Sequence, residues 1–322
     1  MISQRLAEAY QASAEAQNPA PDYLKEFTSV FSKTSFDVLP DSREWDHAME
    51  LVPRSKLSGC KIYPLSLTEQ KELDAFLKEN LESSRIQPSK SPMSSSVFFI
   101  KKKDGSLRLV QDYRALNAIM MKNKYPLPLI SELINKLQGA KYFTKLDVHW
   151  GFNNVHMKEG DKWKAAFQTN QGLYKPLVMF FGLTNSPATF QTIMDAIFED
   201  LISEGVVVVY LDDILIFTRT LEEHQKVVQQ VLEILQQHNL SLKSEKCEFE
   251  KTSIEYLGVV ISHNLVNMDL VKVARVSEWP TLKDRKEVQS FLGFVNFYWR
   301  FIEGFSHIAR PLDQGRFHFQ MV

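Results

Sequence analysis

Apolar positions in this chain follow two periods, and each change of period marks an element. Residues 23–31 (YLKEFTSVF) have helical spacing, whereas 32–66 are irregular and punctuated by Pro40, Pro53 and Pro64. Residues 68–82 predict a helix capped by Thr68, with Leu73, Phe76, Leu77 and Leu81 on one face. A Ser/Pro-rich loop over 83–96 leads into VFFIKKKDGSLRLVQDY, where two β-rich runs flank Asp104-Gly105 and predict a hairpin. YPLPLI holds prolines that a central strand does not tolerate, and a short helix follows over about 131–138. YFTKLDV (142–148) reads as a strand ending at an aspartate, and KAAFQTN with GLYKPLVMFF as an extended pair joined near Gln171-Gly172. Ser186 is expected to cap a helix with Pro187 in its first turn, followed by Phe190, Met194, Ile197, Phe198 and Leu201 at helical spacing. VVVVYLDDILIF is two apolar runs around paired acids, and a helix over 221–238 turns Leu221, Val228, Val231, Leu232 and Leu235 inward. YLGVVIS reads as a strand. Helices at 270–279 and 286–302 close the pattern, the latter with Val288, Phe291, Leu292, Val295, Tyr298, Trp299 and Ile302 as its stripe. The order of elements predicts an α+β fold rather than regular βαβ alternation.

Asp212 and Asp213 interrupt the most apolar stretch. Paired acids are ordinary in a tight turn, yet two like charges beside apolar surface cost free energy unless a cation or solvent neutralises them. The pattern alone leaves turn and metal site equally open. Asp147, at the end of another apolar strand, adds a third carboxylate that can converge with the pair across a sheet. Three carboxylates with positions left for water and phosphate oxygens suit Mg²⁺.

Composition narrows the reading. The chain has 322 residues, 44% of them hydrophobic and 24% charged, enough for a large core and more than one subdomain. Cys60 and Cys247 are far apart, which excludes a disulfide framework and fits a reducing compartment. No membrane-spanning run is expected. The net charge of −1 hides an uneven spread. Residues 1–50 sum to −5, while 97–128 sum to +5 and 270–316 to +3. A polyanion needs local positive surface rather than a basic whole, so nucleic acid remains an eligible partner.

The motifs decide between these classes. LDV at 146–148 and YLDD at 210–213 resemble the two catalytic motifs of reverse transcriptases. In order along the chain, WDHAMEL, CKIYPLS, KKKDGSLRLVQDYRALN, KYPLPLISELINKL, FFGLTNSPATFQ, VYLDDILIF, LEEHQKVV, EKCEFEKT, EYLGVVIS and EVQSFLGFVNFYWRFIEGFSHIARPL are similar to the gypsy-type (Metaviridae) LTR-retrotransposon reverse transcriptases, of fungal type. The similarity runs from about Tyr23 to Leu312.

That resemblance implies a right-hand polymerase fold. It implies a tail and linker over 1–55, fingers and palm over 56–265, a helical thumb over 266–312, and an unmatched tail at 313–322. Protease, RNase H and integrase segments of a parent polyprotein are not expected here. The implied activity is RNA-directed DNA polymerisation. A primer on an RNA or DNA template would be extended with deoxynucleoside triphosphates by two Mg²⁺ ions, Mn²⁺ being a possible substitute. The implied ligands are Asp147, Asp212, Asp213 and the Val148 carbonyl. Lys102 and Arg108 would face the triphosphate, with Lys101 and Lys103 towards template or solvent. Phe152 would act as steric gate against a 2′-hydroxyl, and Phe181 would line the nucleotide pocket with Gly182 and Ser186-Pro187. Tyr210 would lie by the primer terminus, Tyr256-Leu257-Gly258 would form the primer grip, and Lys283, Arg285 and Lys286 would track duplex phosphates. Asp112 and Arg114 are expected to pair, and Trp299 to pack rather than stack on bases. Gln111 and Val259 depart from residues common among relatives. The implied setting is a cytoplasmic particle with nuclear passage. Two other readings stand beside this one: an inactive relic that keeps the fold, and an RNA-templated RNA polymerase, which the aromatic at 152 fits poorly.

Overall fold

The computed structural model describes residues 21–32, 44–56, 59–101, 105–263, 265–268 and 270–313. The expected tail at 1–20, the residues Lys102, Lys103 and Asp104, and most of 313–322 lie outside them.

Two sheets frame the site. The first runs in the order β1 (Ile86–Pro88), β6 (Gly172–Pro176), β5 (Phe167–Thr169), β2 (Ser95–Lys101), β3 (Leu107–Gln111). The β2–β3 hairpin forms as predicted, antiparallel with Val97 opposite Gln111 and Lys101 opposite Leu107. β1 falls inside the Ser/Pro stretch read as a loop. LVMFF contributes only Val178, bridged to His156.

The second sheet has the order β7 (Val207–Tyr210), β8 (Asp213–Thr218), β4 (Tyr142–Asp147), β9 (Glu248–Lys251), all antiparallel. Here β8 is covered on both faces. Ile214 and Ile216 enter the main core together with Val228, Val231, Leu232 and Leu235 of helix α6 (Leu221–Gln237). Leu215 and Phe217 enter a second core with Phe143, Tyr256, Ile261 and Leu133. Burial on two sides is why ILIF is continuously apolar instead of alternating, and each such side chain contributes about 1.5–3 kcal/mol.

The helices start where side chains satisfy free amides. Helix α1 (Leu67–Glu82) opens with a capping box in which Glu69 N donates to Ser66 Oγ and Ser66 N donates to Glu69 Oε2. The cap is therefore Ser66, not Thr68, and Leu81 is exposed rather than inward. Short helices α2 (Arg114–Ile119) and α3 (Ile130–Lys136) follow. Helix α4 (Ser186–Ile197) has its proline in the first turn, but Ser186 does not cap: it lies inside the helix, its Oγ buried without a partner. The run breaks at Phe198 before α5 (Glu199–Ser203). Thr220 caps α6, and Leu221, at the helix start, is exposed rather than inward.

YLGVVIS is a hairpin rather than one strand. β10 (Ser253–Tyr256) ends, Leu257 (φ 48°) and Gly258 (φ 85°) turn, and β11 (Val259–Ser262) returns, flanked by β12 (Leu265–Met268). Helices α7 (Leu270–Ser277), α8 (Arg285–Val295) and α9 (Phe305–Asp313) complete the fold. The predicted helix over 286–302 tightens into a 3₁₀ segment, Asn296–Phe301, and this leaves Trp299 59% exposed instead of packed. Trp279 packs edge-on to Phe291 at 5.4 Å.

Part of the stretch before residue 56 packs into the core. Leu24, Phe27, Val30 and Met49 are buried, Tyr23 Oη donates to Glu250, and Leu242 N donates to Val30 O at 2.8 Å.

Candidate active site

The acid pair sits on a two-residue turn. Tyr210 pairs with Asp213, leaving Leu211 and Asp212 to reverse the chain. Leu211 has φ 56°, a left-handed conformation that a leucine adopts only under constraint. The constraint is Gln191 of α4, fully buried: its Oε1 accepts from Leu211 N at 2.9 Å, and its Nε2 donates to Val209 O and to Asp195 Oδ1.

Asp147 meets the pair through sheet register. Asp147 lies directly opposite Asp213 across β4 and β8, so both side chains leave the same face. One residue on, Val148 N donates to Asp212 O at 2.8 Å. The far side of this segment is tied down by Val148 bridging Leu242, His149 N donating to Ser241 O, and Lys243 N donating to Asp147 O.

Space for Asp212 depends on a glycine. A Cβ at Gly151 would lie 2.3 Å from Asp212 Oδ1 and 2.6 Å from the Phe190 ring. Asp212 Oδ1 is buried with no hydrogen-bond partner. Burial first, then Asp147 and Asp213, push the Asp212 carboxyl up to about 7, with Lys246 partly relieving it. Asp213 is raised for the same reasons, burial leading. Lys246 Nζ donates to Asp147 Oδ2 at 2.9 Å. Among the described residues no three acidic, histidine or cysteine side chains close tightly enough to cage a cation in this arrangement. The donor set nonetheless fits a hard divalent ion: oxygen ligands, unrelieved negative charge and a buried carboxylate oxygen without a partner.

A cavity of about 490 Å³ opens beside these acids. Asp147, Val148 and Asp212 form one wall, Arg108 and Phe181 another, and Lys243 and Lys246 an edge. Arg108 stands 5.9 Å over the Phe181 ring, which is 46% exposed. Phe152 does not border this cavity. It is 7% exposed, wedged 5.2 Å from Phe181 and 5.4 Å from Phe190, so its packing role is evident. Asn117 fixes the Phe181–Thr184 turn, donating to Gly182 O and accepting from Thr184 N.

The remaining expected residues are dispersed. Tyr210 is half-buried and faces a separate apolar cavity with Ile130, Val259 and Trp299. Tyr256 and Gly258 are buried, so only Leu257 of the three offers surface; the Tyr256 hydroxyl donates to Asp213 O at 3.4 Å and couples the turn to the acids. Arg114 and Asp112 pair at 2.6 Å, as expected. Lys102 is outside the described residues. Residue patterning missed Gln191, Gly151 and Lys246. A lone glutamine among the apolar residues of FQTIMDAI was the available signal for the first; the others act through contacts that no local pattern encodes.

Comparison with known proteins agrees with this geometry. Residues 100–261, half of the chain, match the family described as reverse transcriptase (RNA-dependent DNA polymerase). The transposon Tf2-3 polyprotein of Schizosaccharomyces pombe is 35% identical over 294 residues, covering 91% of this chain and 22% of its own length, and the Tf2-7 polyprotein is 34% identical over the same span. The chain thus spans about a fifth of these relatives. Among solved structures, a foamy viral protease–reverse transcriptase in complex with double-stranded DNA aligns with TM-score 0.82 at 20% identity, over 96% of this chain and 55% of that one. Its complex with an RNA/DNA hybrid aligns with TM-score 0.79 at 19% identity, over 96% and 42%. The fold is that α+β polymerase architecture. The chain belongs to the reverse transcriptase (RNA-dependent DNA polymerase) family, on its retrotransposon side.

Proposed function

We propose that this chain is a polymerising core that extends a primer 3′-hydroxyl with deoxynucleotides on an RNA or DNA template. The observation that carries the reading is Asp212 Oδ1, buried and unpartnered beside Asp147 and Asp213 at the edge of a nucleotide-sized cavity. Asp147, Asp212, Asp213 and the Val148 carbonyl are the groups that would hold two Mg²⁺ ions, or Mn²⁺ in their place. Bound there, such ions supply activation of the attacking hydroxyl and charge stabilisation for the departing pyrophosphate.

The chain's own residues do the rest. Arg108, presented above Phe181, offers a planar multi-oxygen contact to a triphosphate, and Lys102 would add a point charge. Phe181 forms the apolar wall for the nucleotide. Phe152 would act against a 2′-hydroxyl through Phe181, against which its ring packs at 5.2 Å. The Leu257-Gly258 turn, coupled to Asp213 through Tyr256, positions the primer end with Tyr210 nearby. The nucleic-acid complexes of the foamy viral enzymes support a primer–template as the partner.

The test is primer extension on an RNA template with Mg²⁺, comparing the parent with Asp212→Asn. Incorporation that falls at least about 100-fold in the variant supports the reading. Equal incorporation by both, or none by either, overturns it.

A further inference from the structure

We infer that Lys246 is an internal counter-ion that occupies the acid cluster in the metal-free enzyme and competes with the divalent cation for Asp147. This rests on the metal-site reading above. Lys246 Nζ holds Asp147 Oδ2 at 2.9 Å, taking an oxygen that a metal would need.

The anchor of this side chain is fixed while its head is loose. Lys246 ends a 3₁₀ turn, Ser244–Lys246, that leads into β9, which pairs with β4. The next residue, Cys247, is buried and its Sγ donates to Lys243 O. The lysine side chain itself is 54% exposed, against 19% for Asp147, so the ammonium can leave into solvent when a stronger cation arrives.

The other cation at this edge is differently committed. Lys243 Nζ lies 3.7 Å from Glu245 Oε1, while its backbone amide binds Asp147 O. Lys246 alone among the described residues forms an ion pair with one of the three acids. A compact ammonium offers one charge and hydrogen bonds. A divalent ion offers two charges and direct coordination to several oxygens, so it wins, but against a resident rival. Metal affinity in the absence of nucleotide is therefore lower than the three carboxylates alone would give.

The experiment titrates Mn²⁺ into the full chain without nucleotide or nucleic acid, following free Mn²⁺ by electron paramagnetic resonance. Lys246→Met, which keeps the stem and removes the charge, should bind Mn²⁺ about fivefold more tightly than the parent. Its melting temperature should be lower without metal and rise further with it. Lys246→Arg, which keeps the charge, should stay within about twofold of the parent, and circular dichroism of both variants confirms the fold. If Lys246→Met binds Mn²⁺ equally or more weakly while Asp212→Asn loses binding, the counter-ion assignment falls and the metal site stands. If Asp212→Asn binds as the parent does, both fall.

Discussion

Gly151 and Asp212 share one small volume, which makes a glycine with no reactive group a determinant of the chemistry. Its backbone is not in the left-handed region, so alanine there is refused by its neighbours rather than by its own conformation. The nearest is the Asp212 carboxylate at 2.3 Å. Gly151→Ala should displace that carboxylate by roughly an ångström and cut single-turnover incorporation about 100-fold. Urea unfolding should show a native fold. An activity within threefold of the parent would mean that Asp212 has room the distances deny. Gln191 works from the opposite side, holding Leu211 left-handed through one amide. Gln191 closes the stretch FFGLTNSPATFQ and Gly151 lies just beyond LDV, and neither stretch by itself says what these two residues do. Their effect is exerted through Asp212, which the motif does announce.

At the scale of elements, the sheet that carries the acids is pinned to α6 by a buried histidine. His224 Nε2 lies 2.7 Å from Thr144 Oγ1 on β4, and Nδ1 3.1 Å from Thr218 Oγ1 on β8. Burial lowers its pKa to about 4. Since the folded value lies below the unfolded 6.5, this stabilisation is complete above pH 6.5 and drains away as pH falls towards 4. At pH 5 the loss is about 2 kcal/mol. Asp212, with its raised pKa, acts in the opposite sense, so the useful readout is a difference. His224→Gln should lose about 2 kcal/mol less than the parent between pH 7.5 and 5 in urea titrations. Equal losses would show that His224 is not the sensor. Sequence period served well for these elements: α6, β4, β7 and β8 stand where apolar spacing placed them. It failed where a neighbour decided the outcome. The cap of α1 moved to Ser66 because Glu69 completes a reciprocal pair. YLGVVIS folded back because Leu257 and Gly258 take up positive φ.

At the scale of the whole molecule, the stretch before residue 56 is where sequence and structure differ most. Its acidic, proline-broken pattern reads as tail and linker. Yet Leu24, Phe27 and Val30 are buried, and Val30 O receives Leu242 N from the loop that bridges Val148 and holds Asp147. The helical spacing of residues 23–31 marks a local element, but not the distant partners that bury it. Val30→Asp should cost about 3 kcal/mol in urea unfolding and should raise the nucleotide KM as well, through the Leu242 loop. An unchanged KM in the folded variant would confine Val30 to the core. The meeting of Asp147 with Asp212 and Asp213 was legible, because these acids are contiguous with strands of strong pattern. The resident ammonium and the glycine were not, because tertiary contact alone brings them there.

One strand, β8, is the spine of two interiors and starts at Asp213 in the acid cluster. The packing of two cores and the placement of Asp213 are thus carried by one run, Ile214 to Phe217. A drift in volume there reaches the acids along a rigid lever about four residues long.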